Sequence, residues 1–182
     1  MLKNAEYIYD NVIIADEFNT TKKYCKKTTG VDLSAKNFYS IDTPGAILKS
    51  GTKVGQYTKL DKRIFASEGN TYKGWFLPQG TYICELNEGC KFGERDVGYI
   101  ILRSSLNRNG VSLASAVWDS SFTTKNKSDE IESMSVRVTV DTPEGIYIEE
   151  DARVGQLLVF EAPEGAEQYS EVGHQFQGKG LK

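Results

Sequence analysis

Asp119 ends the apolar run Ala116-Val117-Trp118 and is followed by Ser120 and Ser121. A carboxylate so placed emerges at a turn, where it either serves a ligand or caps the turn through its own backbone. Arg103, Ser104 and Ser105 close the run VGYIIL and begin a polar segment that ends at Gly110. A guanidinium fork, two hydroxyls and several backbone amides in so short a space suit the oxygens of a phosphate group. The alternative is an ordinary polar turn in which Arg103 pairs with a structural carboxylate. Gln156 is polar within the apolar run VGQLLVF, so if buried it must find hydrogen-bond partners. Near the C-terminus Phe176 is suited to stacking on a base, Gly178 and Gly180 let backbone approach phosphates closely, and His174 and Lys179 add charge.

The elements that must position these groups read as strands. Short β-branched or aromatic runs alternate with Gly, Asn, Asp and Ser clusters, proline is scarce, and no long amphipathic helix stands out, which is the pattern of an all-β domain. Strands are predicted at TYICEL from Thr81, VGYIIL from Val97, VSLASAVW from Val111, MSVRVTV from Met134, GIYIEE from Gly145 and VGQLLVFEA from Val154. In MSVRVTV, Val136, Val138 and Val140 share one face while Arg137 and Thr139 point the other way, so this strand is half-buried. FLPQGT and DTPEG are turns in which Pro fixes φ and Gly takes conformations closed to other residues. The polar stretch Thr123 to Ser133 is predicted to be an inserted, solvated loop. The segment from Gly165 is too poor in apolar residues to pack a core, and is either a frayed end or an arm that orders on a ligand.

With 182 residues the chain supports one sizeable domain. Its 22 basic and 25 acidic residues give a net charge of -3, so no strong field favours nucleic acid or an acidic membrane, and any phosphate must be held locally. Three cysteines at unrelated spacings and one histidine argue against a disulfide framework or a zinc centre. The N-terminal stretch interrupts its apolar residues with charges, unlike a signal peptide, and no window approaches the roughly 20 apolar residues of a membrane span. A soluble, cytoplasmic protein without nucleic-acid or membrane partners is expected.

Four blocks in order, TGVDLSA at Thr29, RSSLNRNG at Arg103, AVWDSSF at Ala116 and DARVGQLLVF at Asp151, stand between the lead-in FLPQGTYICELNE and the tail HQFQGKG. Together they resemble the dUTPase and dCTP deaminase superfamily, and look most like its archaeal type of dUTPase. The resemblance implies a distorted β-barrel or jelly-roll subunit in a homotrimer, with active sites at subunit interfaces. It divides the chain into an N-terminal extension, 1–28, a β domain, 29–164, carrying the inserted loop 123–133, and an arm, 165–182, that closes over nucleotide.

The implied reaction is hydrolysis of dUTP to dUMP and pyrophosphate, which needs an in-line water, a base, charge-neutralising donors and Mg²⁺ on the triphosphate. Asp119 matches the family's water-activating aspartate. Arg103, Ser104, Ser105, Arg108, Gln156 and Lys179 correspond to phosphate contacts, and Asp32 to a carboxylate near the metal, acting through water. A purely structural salt bridge is the other reading of Asp32. The backbone of Ala114, Ser115, Ala116 and Val117 would form the uracil pocket, with Phe122 packed on deoxyribose and Phe176 stacked on the base.

Two features depart from the pattern. The family follows the aspartate with a small residue, Gly, Tyr and Gly, whereas this chain reads Ser-Ser-Phe-Thr-Thr and then carries the insertion. The deaminases use a glutamate on the next strand, where this chain has Arg137 or Thr139; Glu130 or Glu132 could reach that place if the register slips. A dCTP deaminase or bifunctional enzyme is therefore one alternative, and a nucleotide-sensing or partner-binding protein on the same fold is another.

Overall fold

In the computed structural model, residues 1–15, 29–120 and 133–165 are described. The N-terminal helix α1 (Ala5–Asn11) begins at Asn4, whose side-chain oxygen accepts from the Tyr7 amide at 2.8 Å and so satisfies an otherwise orphan donor. Its Ala5 and Ile8 are buried. Strands follow in chain order as β1 (Ile13–Ala15), β2 (Val31–Ile41), β3 (Ala46–Leu48), β4 (Gly51–Lys53), β5 (Tyr57–Lys59), β6 (Arg63–Ser67), β7 (Asn70–Leu77), β8 (Gly80–Leu86), β9 (Gly89–Cys90) and β10 (Asp96–Leu102). A five-residue helix, α2 (Ser104–Arg108), precedes β11 (Val111–Ala114), β12 (Ser135–Val140), β13 (Ile146–Glu149) and β14 (Arg153–Glu161).

The main sheet runs β10-β14-β2-β8-β12-β11, with antiparallel neighbours throughout and β5 paired to β2. Its two ends meet: Gly98 on β10 and Trp118 beyond β11 form an antiparallel bridge, the Gly98 amide donating to the Trp118 carbonyl at 2.6 Å and the Trp118 amide to the Gly98 carbonyl at 2.9 Å. That clasp nearly closes the sheet into a barrel and removes most of the exposed edge an open sheet would carry. Val31, Leu33, Leu86, Val136, Val138, Leu157 and Val159 point into it. A second sheet, β13-β7-β6, is continued inward by the buried Trp75 and Leu77 and carries the rings of Phe65, Tyr72, Phe76 and Tyr147 on its outer side.

The alternation expected in MSVRVTV is found: Val136, Val138 and Val140 are buried and Arg137 is exposed. One expected strand is corrected. VSLASAVW is not continuous, because β11 stops at Ala114 and the chain rejoins the sheet only at Trp118. The cause lies in Ser115, whose hydroxyl donates to the Ala116 carbonyl at 2.7 Å and accepts from the Trp118 indole N–H at 2.9 Å, giving the chain a local alternative to the ladder. Most of the predicted insertion and of the tail lies outside the described residues, and among those described no helix is long and apolar enough to cross a membrane.

Candidate active site

Asp32 sits near the start of β2, directly opposite Gln156 on β14, which in turn faces Ile101 on β10. The three form a row across the sheet. Val31 and Leu33 flank Asp32 and point to the core, so period-2 alternation turns Asp32 outward, as it does Gln156 between buried Gly155 and Leu157. Gly30 allows the chain to pass close to this row, since a Cβ there would stand 2.8 Å from Gln156 Cγ and from Leu158 Cδ2.

Two guanidinium groups converge on Asp32. Arg153 donates from its Nη1 to Oδ2 at 2.9 Å, and Arg103 Nε lies 3.3 Å from Oδ1. Arg103 also reaches the Arg153 carbonyl from Nη1 at 3.5 Å. The sequence-level alternatives for Arg103 and Asp32, each paired with a structural counter-ion, thus meet in a single contact. Arg153 was not singled out from the sequence. Strict alternation would put it on the face opposite Gln156, but a register shift between Arg153 and Gly155 returns it to the same side.

The turn that delivers Arg153 is held from below. Asp151 takes a left-handed φ of 62°, tolerated by Asp through local hydrogen bonding, and accepts from Asn87 Nδ2 at 2.9 Å. The same Asn87 amide donates to Ser34 Oγ at 3.0 Å. Ser34 gives its own amide to both oxygens of the fully buried Glu88, at 3.1 and 3.0 Å, and its hydroxyl to Oε1 at 2.8 Å. A buried carboxylate satisfied by three such bonds is a rigid support. It ties β2, two residues beyond Asp32, to the β13–β14 turn.

Arg103 is the N-cap residue of α2, which buries Leu106 and exposes Ser104, Ser105 and Arg108. Asn109 caps the helix by donating to the Ser105 carbonyl at 2.9 Å, and Gly110, at φ 67°, turns the chain into β11. Ser105 and Arg153, with Tyr147 and Glu149 of β13, line a cleft of about 180 Å³.

The hairpin residues Ala114, Ser115, Ala116 and Val117 lie elsewhere. Ala114 pairs with Arg137, Ala116 and Val117 are exposed, and half-buried Asp119 follows the clasped Trp118. Gly98, opposite Trp118, lies on β10 five residues before Arg103, which follows the strand's end, roughly 16 Å at a strand's rise of about 3.3 Å per residue. Because the bridge is antiparallel, Asp119 continues away from Arg103. One chain therefore gathers Asp32, Arg103 and Gln156, with Arg153, at one end of β10 and sets Asp119 toward the other, while residues 114–117 run back between the two. Phe122, His174, Phe176, Gly178, Lys179 and Gly180 lie outside the described residues.

Around the cluster, the outward face of β10 and β14 is apolar. Tyr99 and Ile101 are about 40% exposed and Phe160 is nearly as open, with the Tyr99 and Phe160 rings meeting edge to face at 5.9 Å between centroids. Among the described residues no three His, Cys, Asp or Glu side chains are grouped to hold a metal ion, and both oxygens of Asp32 already face arginines. The described residues thus do not form a cation cage of their own.

No protein-family model matches the chain. It is 31% identical over 130 residues to a probable deoxyuridine 5'-triphosphate nucleotidohydrolase of Halobacterium salinarum, covering 71% of this chain and 72% of that protein. A protein of the same description from Methanococcoides burtonii is 28% identical over 136 residues, 72% of this chain and 69% of the relative. Among solved structures, the 2'-deoxycytidine 5'-triphosphate deaminase of Agrobacterium tumefaciens shares the fold, with a TM-score of 0.53 and 12% identity over 94% of this chain and 51% of that one.

Proposed function

We propose, from the premise that this chain belongs to the deoxyuridine 5'-triphosphate nucleotidohydrolase (dUTPase) family, that it hydrolyses dUTP to dUMP and pyrophosphate. The observation that carries the reading at the level of residues is the outward cluster of Arg103, Arg153, Asp32 and Gln156 beside the exposed hydroxyls of Ser104 and Ser105. Guanidinium forks, hydroxyls and a carboxamide supply planar and bidentate donors for phosphate oxygens, and such donors offset the charge that builds up on the leaving pyrophosphate.

Asp119 is assigned as the base that orients and deprotonates the attacking water, with the α-phosphate as its target. The hairpin of Ala114 to Val117, whose side chains are small or exposed, offers backbone donors and acceptors to the uracil edge. Phe122 is assigned to the deoxyribose, Phe176 to the base, and Lys179, with Arg108, to the phosphates. Mg²⁺ enters as the companion of the triphosphate. Since the described residues build no cage for it, its ligands would be phosphate oxygens and water, with Asp32 at most an outer neighbour, and no step here is routed through it.

The separation of Asp119 from Arg103 gives the proposal its quaternary form. A base and a phosphate cluster at opposite ends of one strand can serve the same triphosphate when they come from different subunits. The exposed Tyr99, Ile101 and Phe160 beside the cluster supply an apolar surface for such packing. A cytoplasmic homotrimer with composite sites is the assembly proposed.

Strand β12 carries no Asp or Glu, and Glu130 and Glu132, the other candidates for a deaminase carboxylate, lie outside the described residues. The deciding experiment follows pyrophosphate and ammonia together from dUTP, dCTP, dTTP and UTP, with and without Mg²⁺. Mg²⁺-dependent pyrophosphate from dUTP alone is expected. Ammonia from dCTP would replace the reading with a deaminase, and tight dUTP binding without turnover would replace it with a nucleotide-binding protein.

A further inference from the structure

The two arginines on Asp32 are not equivalent. Arg153 makes the short contact, 2.9 Å to Oδ2, and its backbone is pinned by the turn that Asp151, Asn87, Ser34 and Glu88 brace. Arg103 makes two contacts beyond the usual range for N–H to O bonds, 3.3 Å to Asp32 and 3.5 Å to the Arg153 carbonyl, and it stands at the head of the segment that carries Ser104 and Ser105. A cation loosely held by a carboxylate that a second cation already holds well can turn to another anion without leaving that carboxylate unpaired. Asp32 has only 17% of its side chain exposed, so leaving it unpaired would be costly.

We propose that Arg153 is a positioning residue that retains Asp32 while Arg103 exchanges from Asp32 to the substrate's phosphates. Asp32 then acts as the resting partner of Arg103 in the empty site and as the fixed partner of Arg153 in the filled one. The exchange breaks one long ion contact and forms a bidentate guanidinium–phosphate contact, with no proton moved. This rests on the cluster being the triphosphate site.

The exchange predicts an unusual pattern of suppression. Arg153→Gln removes the short contact to Asp32 and tightens that carboxylate's hold on Arg103, which is then drawn off the phosphates, so affinity for the non-hydrolysable analogue α,β-imido-dUTP falls about tenfold or more. Arg153→Lys keeps a cation beside Asp32 and stays within about threefold of the parent. Adding Asp32→Asn to Arg153→Gln releases Arg103, and affinity returns to within about threefold of the parent, although a second charged side chain has been removed.

The measurement is calorimetric titration of the whole protein and the three variants with that analogue, each checked for an unchanged thermal midpoint and oligomeric state. A double variant no tighter than Arg153→Gln, or an Arg153→Gln variant that binds like the parent, overturns the exchange and leaves the nucleotide reading standing. Failure of the parent protein to bind the analogue overturns both.

Discussion

Asp32 and Gln156 stand directly opposite each other across the β2–β14 ladder, side chains turned out of the barrel, with Gly30 passing close beside Gln156. Two separate blocks of sequence, 124 residues apart in number, are thereby brought to one point of a rigid sheet. The arginines arrive from the two chain segments that end and begin the neighbouring strands, so the cluster rests on strand pairing together with the braced turn before Arg153.

Gly30 should be intolerant of side chains for the same reason. A Cβ at 2.8 Å from Gln156 Cγ must displace the carboxamide or β2. Gly30→Val is expected to destabilise by about 1–3 kcal/mol in urea denaturation. It should also raise KM for dUTP, and an unchanged KM in a folded variant would dissociate Gln156 from the substrate.

Asp119→Asn removes a proton acceptor and little volume. Turnover of dUTP should fall by about 10²–10⁴-fold while analogue affinity changes by less than about threefold. Full pyrophosphate release by this variant would remove Asp119 from the chemistry.

Composite sites make a sharper forecast. Asp119→Asn and Arg103→Gln should each be nearly inactive alone, yet subunits of the two mixed equally before assembly should recover about a quarter of parental activity, the share of interfaces that pair one intact half with the other. No recovery in verified mixed oligomers would mean that base and phosphate cluster serve each other within one chain.

Acid stability should depend on Glu150, which bonds Lys62 and lies 3.3 Å from Lys73, with Lys62 over the ring of buried Trp75. The hydrogen bond from Lys62 is the main influence holding its carboxyl below the usual carboxylate value of 4.5. A depressed folded pKa means that the stabilisation is complete above the unfolded value and is lost as pH falls below about 4.5 and through the folded one. Glu150→Gln should therefore flatten the acid limb of the unfolding free energy and lower stability at neutral pH. Parallel acid limbs in urea titrations from pH 3 to 7 would assign the acid sensitivity elsewhere.

What could be read from sequence followed how regularly each strand alternates. β12 keeps strict period 2, so its sequence alone assigns Val136, Val138 and Val140 to the core and Arg137 to solvent. β2, the longest strand, was not singled out as one, because an irregularity between Ala35 and Asn37 buries Asn37 and Phe38 in succession and spoils the pattern. A similar shift hid Arg153. The hairpin was read as continuous strand because a serine hydroxyl, invisible to hydropathy, diverts it at Ser115. Asp32, Arg103 and Gln156 were recognisable as polar groups in ordered motifs, but their convergence depends on pairing between distant segments that spacing alone does not encode.

The Gly98–Trp118 clasp has a consequence for how this barrel can diverge. Together with the bond from the Met134 amide to the Glu88 carbonyl, it fixes the chain on both sides of residues 121–132. Strands β2, β8, β10 and β11 precede that segment and β12 and β14 follow it, so the barrel closes only when both parts of the chain are in place. Between two fixed ends, lengthening a flexible connection costs only loop-closure entropy, about 0.6 kcal/mol per doubling. The two anchored ends thus mark a splice point, where the chain can take in new sequence without renegotiating the architecture of the barrel.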